Sequence, residues 1–251
     1  MTPPELKRRS ALFLDLDGTL LEIAATPRQV VVPPGLPALL AELHRLLEGA
    51  LAIVTGRPLS ELDELLRPFV SAAAGEHGAS LRFDDGSREE LPTGSVMPVE
   101  WRRELEAAAR EWPGVLIEPK PYGLAVHYRL APEHGDEVWR LVRRLVPSEH
   151  PGFRLVPARE AVEIGLRSTS KGHAVERLMA RAPFRGRQPI FIGDDFTDEA
   201  GMEKARELGG IGLRVADVFG GDPANVRGWL ATGARRLEKR SPPPPAAGAT
   251  P

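Results

Sequence analysis

Hydrophobic and polar positions along this chain fall into blocks, and the character of the blocks changes twice. Residues 11–21, ALFLDLDGTLL, form an almost wholly apolar run interrupted by Asp15 and Asp17. In PGLPALLAELHRLLEG, residues Leu36, Leu39, Leu40, Leu43, Leu46 and Leu47 recur with helical spacing as one wide stripe, and Gly49 stands as a stop. ALAIVTGR is apolar at successive positions, the pattern of a parallel strand covered on both faces. SELDELLRPF then predicts a short helix capped by Ser60, and SAAAGEHGA a further short strand.

From about residue 94 to 165 the pattern becomes helix (VEWRRELEAAAREW), two strands joined by a turn (VLIEPKPYGLAVHYRL), helix (EHGDEVWRLVRRLV) and two more strands (FRLVPA, AVEIGL). This αββαββ order has hairpin-like connections and differs from the strand–helix alternation around it, so it predicts an inserted α+β domain. Alternation returns with STSKGHAVERLMARAPF, QPIFIGDD, TDEAGMEKARELG and GIGLRV, and ends in a short helix around ANVRGWLA. The expected architecture is an α/β core built on one parallel Rossmannoid sheet from residues 1–93 and 166–238, with 94–165 inserted. Residues 239–251, ending SPPPPAAGATP, lack apolar periodicity and are expected to be a disordered tail.

Composition narrows the function classes. A hydrophobic content of 42% over 251 residues can fill a sizeable core. Lys+Arg 33 against Asp+Glu 35 leaves a formal charge of -2, which offers no footprint for nucleic acid or an anionic membrane. The absence of cysteine excludes disulfides, thiolate metal sites and a cysteine nucleophile, and fits a reducing cytoplasm. KRRSALFL starts like a signal peptide but its apolar run breaks at Asp15, and no apolar stretch is long enough to span a bilayer.

Two acids in a run suited to burial need an explanation, because an unpaired buried carboxylate is costly. One is local: Asp17-Gly18 is also a strong signal for a two-residue hairpin turn. The other is that the strand ends near Asp15 and delivers carboxylates to the carboxyl edge of the sheet, where open parallel sheets bind ligands. Three further features fall on the same edge: Thr55-Gly56-Arg57 after ALAIV, Lys171-Gly172 opening the helix after Ser170, and GDDFTDE from Gly193 to Glu199. Each has a plain reading, as a turn, a solvated first-turn lysine, and a turn with Thr197 capping the next helix. Together they make a phosphate site: carboxylates from two strand ends suit Mg2+, and a lysine, a hydroxyl and backbone N–H groups hold phosphate oxygens.

DLDGT, TGR, SKG and GDDFTDE, in this order and with this insertion between the second and third, resemble the four-motif signature of the haloacid dehalogenase (HAD) phosphatases. GEHGA, EPKPYGLAVHYR, VEI before SKG, and GDDFTDEAGM resemble the trehalose-6-phosphate phosphatase branch. The likeness runs from about residue 11 to 231. It implies an HAD-like core with a cap, and two-step hydrolysis of a disaccharide phosphate by a monomer supplied by a synthase. Asp15 would be the nucleophile and Asp17 the acid and then the base. Thr55, Gly56 and Lys171 would hold the phosphate, and Mg2+ would sit on Asp15, Asp194 and the Asp17 carbonyl, with Asp195 and Asp198 supporting that loop.

On the cap the likeness implies that Glu118, Lys120 and Glu163 meet sugar hydroxyls; His127 and Arg129 on the cap strands and Arg57 of TGR are further substrate-binding candidates. Cross-strand ion pairing on a solvated sheet face stays open for His127 and Arg129, and Arg57 has the same ambiguity. Gly75, Glu76, His77 and Gly78 fall where the branch places a turn lining the site, and shaping that loop is their other reading. One departure stands out: Gly165 and Leu166 replace a basic residue and a proline, and Ser168 a glycine, which bears on hinge stiffness and one cap contact. Other sugar phosphates (sucrose 6-phosphate, a mannosyl- or glucosyl-3-phosphoglycerate), a non-catalytic sensor and phosphoryl transfer to a second sugar are the alternatives.

Overall fold

The computed structural model describes residues 2–90 and 97–240. β1 (Ser10–Leu14) is buried along its whole length and is followed by α1 (Leu36–Leu46), β2 (Leu51–Val54), α2 (Leu59–Leu65) and β3 (Ala72–Gly75). β4 (Ser80–Arg82) and β5 (Arg88–Glu90) come next as an antiparallel pair. A second layer contains α3 (Val99–Glu111), β6 (Leu116–Lys120), β7 (Gly123–His127), α4 (Gly135–Leu145), β8 (Phe153–Ala158) and β9 (Ala161–Leu166). Alternation then resumes through α5 (Lys171–Met179), β10 (Gln188–Gly193), α6 (Glu199–Glu207), β11 (Ile211–Arg214), α7 (Val215–Val218) and α8 (Pro223–Lys239).

The first sheet has the order β11-β10-β1-β2-β3-β4-β5, parallel from β11 to β3. β1 pairs with β2 on one side and β10 on the other, so the two halves of the chain meet at the centre of one sheet. The strand order reverses there, which opens a crevice beyond the carboxyl ends of β1, β2 and β10. Asp15 follows β1 as extended chain, its N–H bonding the Ile192 carbonyl at 3.0 Å. The Asp17-Gly18 hairpin reading therefore fails, because both neighbours of β1 are parallel and distant in sequence.

The second sheet, β6-β7-β9-β8, is wholly antiparallel. Its faces divide by the two-residue alternation of strands. Leu124, Val126, Val162 and Ile164 join Leu105, Val138, Leu141 and Val142 of α3 and α4 in a core of their own. The other face carries Glu118, Lys120, Ala125, His127 and Glu163 and meets the first sheet's carboxyl edge. Glu118 and Glu163 both pair with Ala125, which places the two acids on one face of adjacent strands.

Several local expectations are corrected. Pro58, not Ser60, precedes the first turn of α2, and Ser60 lies within the helix. β4 and β5 were not anticipated in the charged segment SLRFDDGSREE, where Gly86 at φ +80° turns the chain. The final helix is long rather than short, and Lys239, expected in the tail, ends it. Residue 94, the expected start of the insertion, and positions 241–251 of the expected tail lie outside the described residues.

Close packing of α5 on α6 brings the end of the chain's third segment to the crevice. A Cβ on Gly172 would lie 2.7 Å from the Ala200 carbonyl. Gly172→Val should therefore destabilise the protein by about 1–3 kcal/mol, the usual cost of overpacking, read as a lowered thermal midpoint. An unchanged midpoint would contradict this packing.

Candidate active site

Lys171 opens α5, whose cap is Ser170, the hydroxyl accepting the His173 N–H at 3.1 Å. Its ammonium is buried and meets Asp15 Oδ1 at 2.7 Å and Asp198 Oδ1 at 2.7 Å. The second oxygen of Asp198 accepts the backbone N–H groups of Asp194 and Asp195 at 3.0 and 3.1 Å. Asp195 is the true cap of the following turn: its Oδ1 accepts from the Thr197 N–H and hydroxyl at 2.8 and 2.7 Å, so Thr197 is capped rather than capping.

This cluster is short of positive charge. Burial and Asp198 raise the pKa of Asp15 well above its ordinary value despite Lys171. Burial, Asp195 and Asp198 push Asp194 up to about 7. Lys171 is itself raised well above its ordinary value, because its acids outweigh its desolvation. Asp15, Asp194 and Asp198 place one carboxylate oxygen each within 4.8 Å of one another. Such a set of hard donors, underneutralised by one lysine, fits a divalent cation. With both Asp198 oxygens engaged, Asp15 and Asp194 are the better placed ligands.

Thr55 ends β2, its N–H bonded to the Ala74 carbonyl at 2.9 Å, and its hydroxyl accepts the Arg57 N–H at 3.1 Å. Arg57, expected against substrate, lines the cleft and clamps Asp17 with two bonds of 2.7 and 2.8 Å, and also reaches Glu61 at 3.2 Å and the Pro27 carbonyl at 3.1 Å. Gly18 (φ +82°) faces Asp194 so closely that a Cβ there would lie 2.1 Å from Asp194 Oδ2.

Across the crevice, Lys120 Nζ meets Glu163 Oε2 at 2.9 Å and the Gly56 carbonyl at 3.0 Å. Burial alone would raise Glu163, but Lys120 and His77 hold it well below the carboxylate range. Glu118 accepts from His127 at 2.6 Å; burial works against its ionised form, and His127 and Lys120 bring its pKa down. Arg129 is engaged with Glu160 at 3.1 Å, the Arg159 carbonyl at 2.8 Å and the Ala24 carbonyl, which straps the β8–β9 tip to the loop after β1.

The candidate catalytic, phosphate, cation and sugar residues from the sequence, Asp198 excepted, line one cleft together with His77, whereas Gly75, Glu76 and Gly78 of the same turn do not line it. Ile23, Ala24, Pro27 and Val30 form its apolar wall and the second sheet its charged one. Glu61, which supports Arg57, and Glu76, which accepts the Tyr122 N–H at 2.9 Å, are contacts that sequence reasoning missed.

The trehalose-phosphatase family model matches residues 13–227, a span that holds both halves of the crevice. The chain belongs to that family. A Sinorhizobium fredii protein named "Probable trehalose-phosphate phosphatase" is 43% identical over 205 residues, 82% of this chain and 77% of the relative. The Escherichia coli trehalose-6-phosphate phosphatase is 38% identical over 230 residues, covering 92% and 84%. In fold, the chain resembles the C-terminal domain of Candida albicans trehalose-6-phosphate phosphatase (TM-score 0.76, 19% identity, 91% of this chain and 93% of that one). It also resembles a Synechocystis sucrose-phosphatase (TM-score 0.53, 18% identity, 90% and 89%). The architecture is the HAD-like α/β core with an added α+β layer.

Gly18→Ala should displace the Asp194 carboxylate and lower divalent-cation affinity by about tenfold or more, with the circular dichroism spectrum unchanged. Titration calorimetry with the cation alone checks this; wild-type affinity in the variant would remove Asp194 from the site.

Proposed function

We propose that the protein hydrolyses trehalose 6-phosphate to trehalose and phosphate, with Mg2+ as its cation. The observation that carries the reading is the Asp15–Lys171–Asp198 bridge lying beneath a sheet face bearing Glu118, Lys120 and Glu163, in a chain of this family. Phosphate chemistry and polyol recognition would then share one cleft.

In this reading Asp15 Oδ1 is held by Lys171, and the carboxylate attacks phosphorus as the bond to the sugar oxygen breaks. Asp17, oriented by Arg57, protonates the departing oxygen and then takes a proton from the water that cleaves the aspartyl-phosphate. Thr55, the Gly56 loop and Lys171 hold phosphate oxygens through a loose, in-line transition state. Asp15 and Asp194 would hold the cation, joined by the Asp17 carbonyl, and Asp195 and Asp198 fix their loop. Bound there, Mg2+ supplies charge neutralisation that lets a carboxylate approach a phosphate dianion.

Glu118, Lys120 and Glu163 would contact sugar hydroxyls, with His127 orienting Glu118; Arg129 acts as the strap. The layer spanning α3 to β9 would serve as a cap that excludes water. The working unit of this reading is a monomer. No helix among the described residues is long and apolar enough to cross a membrane, and the lack of cysteine suits a reducing compartment, so we place the protein in the cytoplasm.

A phosphate-release assay with trehalose 6-phosphate against glucose 6-phosphate, sucrose 6-phosphate and mannosyl-3-phosphoglycerate should show preference for the first; preference for another would reassign the substrate. Asp15→Asn should cut turnover by about a thousandfold or more with the fold intact, since the attacking group is lost. Persistent turnover in that variant would falsify the nucleophile. Chelation should abolish phosphate release and added Mg2+ restore it; activity surviving full chelation would exclude the cation's role.

A further inference from the structure

The turn Glu76–Gly78 holds three successive residues at positive φ: Glu76 at 46°, His77 at 56° and Gly78 at 99°. Glycine adopts this backbone freely, while glutamate and histidine do so only against a steric penalty. Strain of this kind persists where surrounding contacts over-determine it, and it gathers at functional sites. Both side chains are buried and both reach out of the first sheet to the second.

His77 Nε2 meets Glu163 Oε2 at 3.1 Å, and because a carboxylate only accepts, the ring N–H donates. Nδ1 of the same ring is buried with no partner among the described residues, so Glu163 is the polar contact that the ring serves. Lys120 converges on the same oxygen at 2.9 Å. Two donors thus pin Oε2 from different directions, and Oε1 takes no hydrogen bond from the described residues. Glu163 lines the cleft, so the carboxylate is fixed with one oxygen available to a ligand hydroxyl.

The same ring touches the phosphate-holding loop. A Cβ on Gly56 would lie 2.8 Å from His77 Cε1 and Nε2, and the Gly56 carbonyl accepts from Lys120 at 3.0 Å. His77, Lys120 and Glu163 therefore enclose Gly56, and each depends on another for its position. Among the described residues the His77 ring makes no hydrogen bond or ion pair with Asp15, Asp17, Lys171 or Asp194; its hydrogen-bond partner is Glu163.

We propose that His77 is a positioning residue for substrate specificity: it fixes Glu163 for a sugar hydroxyl and ties that contact to the phosphate loop at Gly56. The inference rests on the sugar-phosphatase reading. It requires that loss of the contact harm sugar phosphates selectively and spare the hydrolysis of an ester with no sugar to recognise. Contacts made equally to bound substrate and transition state appear in KM rather than kcat.

The test compares His77→Asn and His77→Gln with the wild-type enzyme on trehalose 6-phosphate and on p-nitrophenyl phosphate. Asparagine tolerates the left-handed backbone but is too short to reach Glu163; glutamine keeps a donor at the required reach. H77N should raise KM for the sugar phosphate about tenfold with kcat little changed, the usual scale for a hydrogen bond to a charged group. Its kcat/KM on the aryl ester should stay within about twofold of wild type, and H77Q should recover most of the loss. Equal losses on both esters, or no loss on either, would overturn the proposal while leaving the phosphatase reading in place. If the wild-type enzyme prefers a different sugar phosphate, the substrate assignment falls and the same split is read on that sugar. Absence of any preference for a sugar phosphate over the aryl ester would defeat both.

Discussion

One buried ammonium organises this molecule. Lys171 lies between Asp15 from the first strand and Asp198 from a turn far along the chain, and all three are almost fully withdrawn from water. Breaking such a contact would leave uncompensated charge in a low-dielectric interior, a penalty large enough to fix the elements that carry it. Here it fixes β1, α5 and the β10–α6 turn to one another. Charge is nevertheless out of balance, because Asp194 and Asp195 adjoin the same lysine and Asp194 is displaced towards neutrality as a result. A site in which the protein's own cation cannot satisfy its acids is stable with a further positive charge, and the hard oxygen donors decide its kind. The fold's electrostatic deficit and its chemical competence are the same property.

That deficit sits where topology puts it. A sheet whose order reverses at β1 opens a crevice at that point of its edge. Asp15, Thr55 and Asp194 follow three adjacent strands, so the register of β1 with β2 and β10 sets their spacing before any side chain is considered. Catalytic geometry inherits the rigidity of backbone hydrogen bonding. The charged face of the second sheet is a different case. Its residues hold one another through Glu118–His127 and Lys120–Glu163, and hold the core through Lys120 on the Gly56 carbonyl and the Tyr122 N–H on Glu76. The phosphate half of the cleft is set by strand register, and the other half by side chains that fix one another.

The parts legible in the sequence are those whose cause is local. β1 and β2 declare themselves through uninterrupted apolar residues, and α1 through its leucine spacing, because burial on two faces or one stripe leaves a periodic trace. β4 and β5 left no such trace: they are three-residue strands at one end of the sheet, and β5 consists of charged residues. α8 outran its expected length because Gly228, Thr232 and Gly233 weaken the helical pattern, while burial of Leu230, Ala234 and Leu237 overrides propensity. The motif acids could be placed at one edge from the strand pattern alone. Which partner each chooses could not: Arg57 finds Asp17 forty residues earlier, and His77 finds Glu163 in the second sheet. Long-range pairing depends on the closed fold and has no signature in spacing.

Fold likeness alone leaves the sugar undecided, since the architecture is shared with a sucrose-phosphatase as well as with trehalose-6-phosphate phosphatases. The physical reason lies in the division of the cleft. The lysine-bridged acids act on a phosphate, which every candidate substrate carries, so their geometry constrains the reaction and says little about the alcohol that leaves. Discrimination has to come from the opposing wall, where Glu118, Lys120 and Glu163 face the cleft and few positions separate one polyol from another. A site that hydrogen-bonds specific hydroxyls rejects a mismatched sugar by leaving its own buried polar groups unpaired. Changing the leaving group would therefore require altering a handful of second-sheet side chains and whatever fixes them, while the sheet edge that carries out phosphate transfer stays as it is.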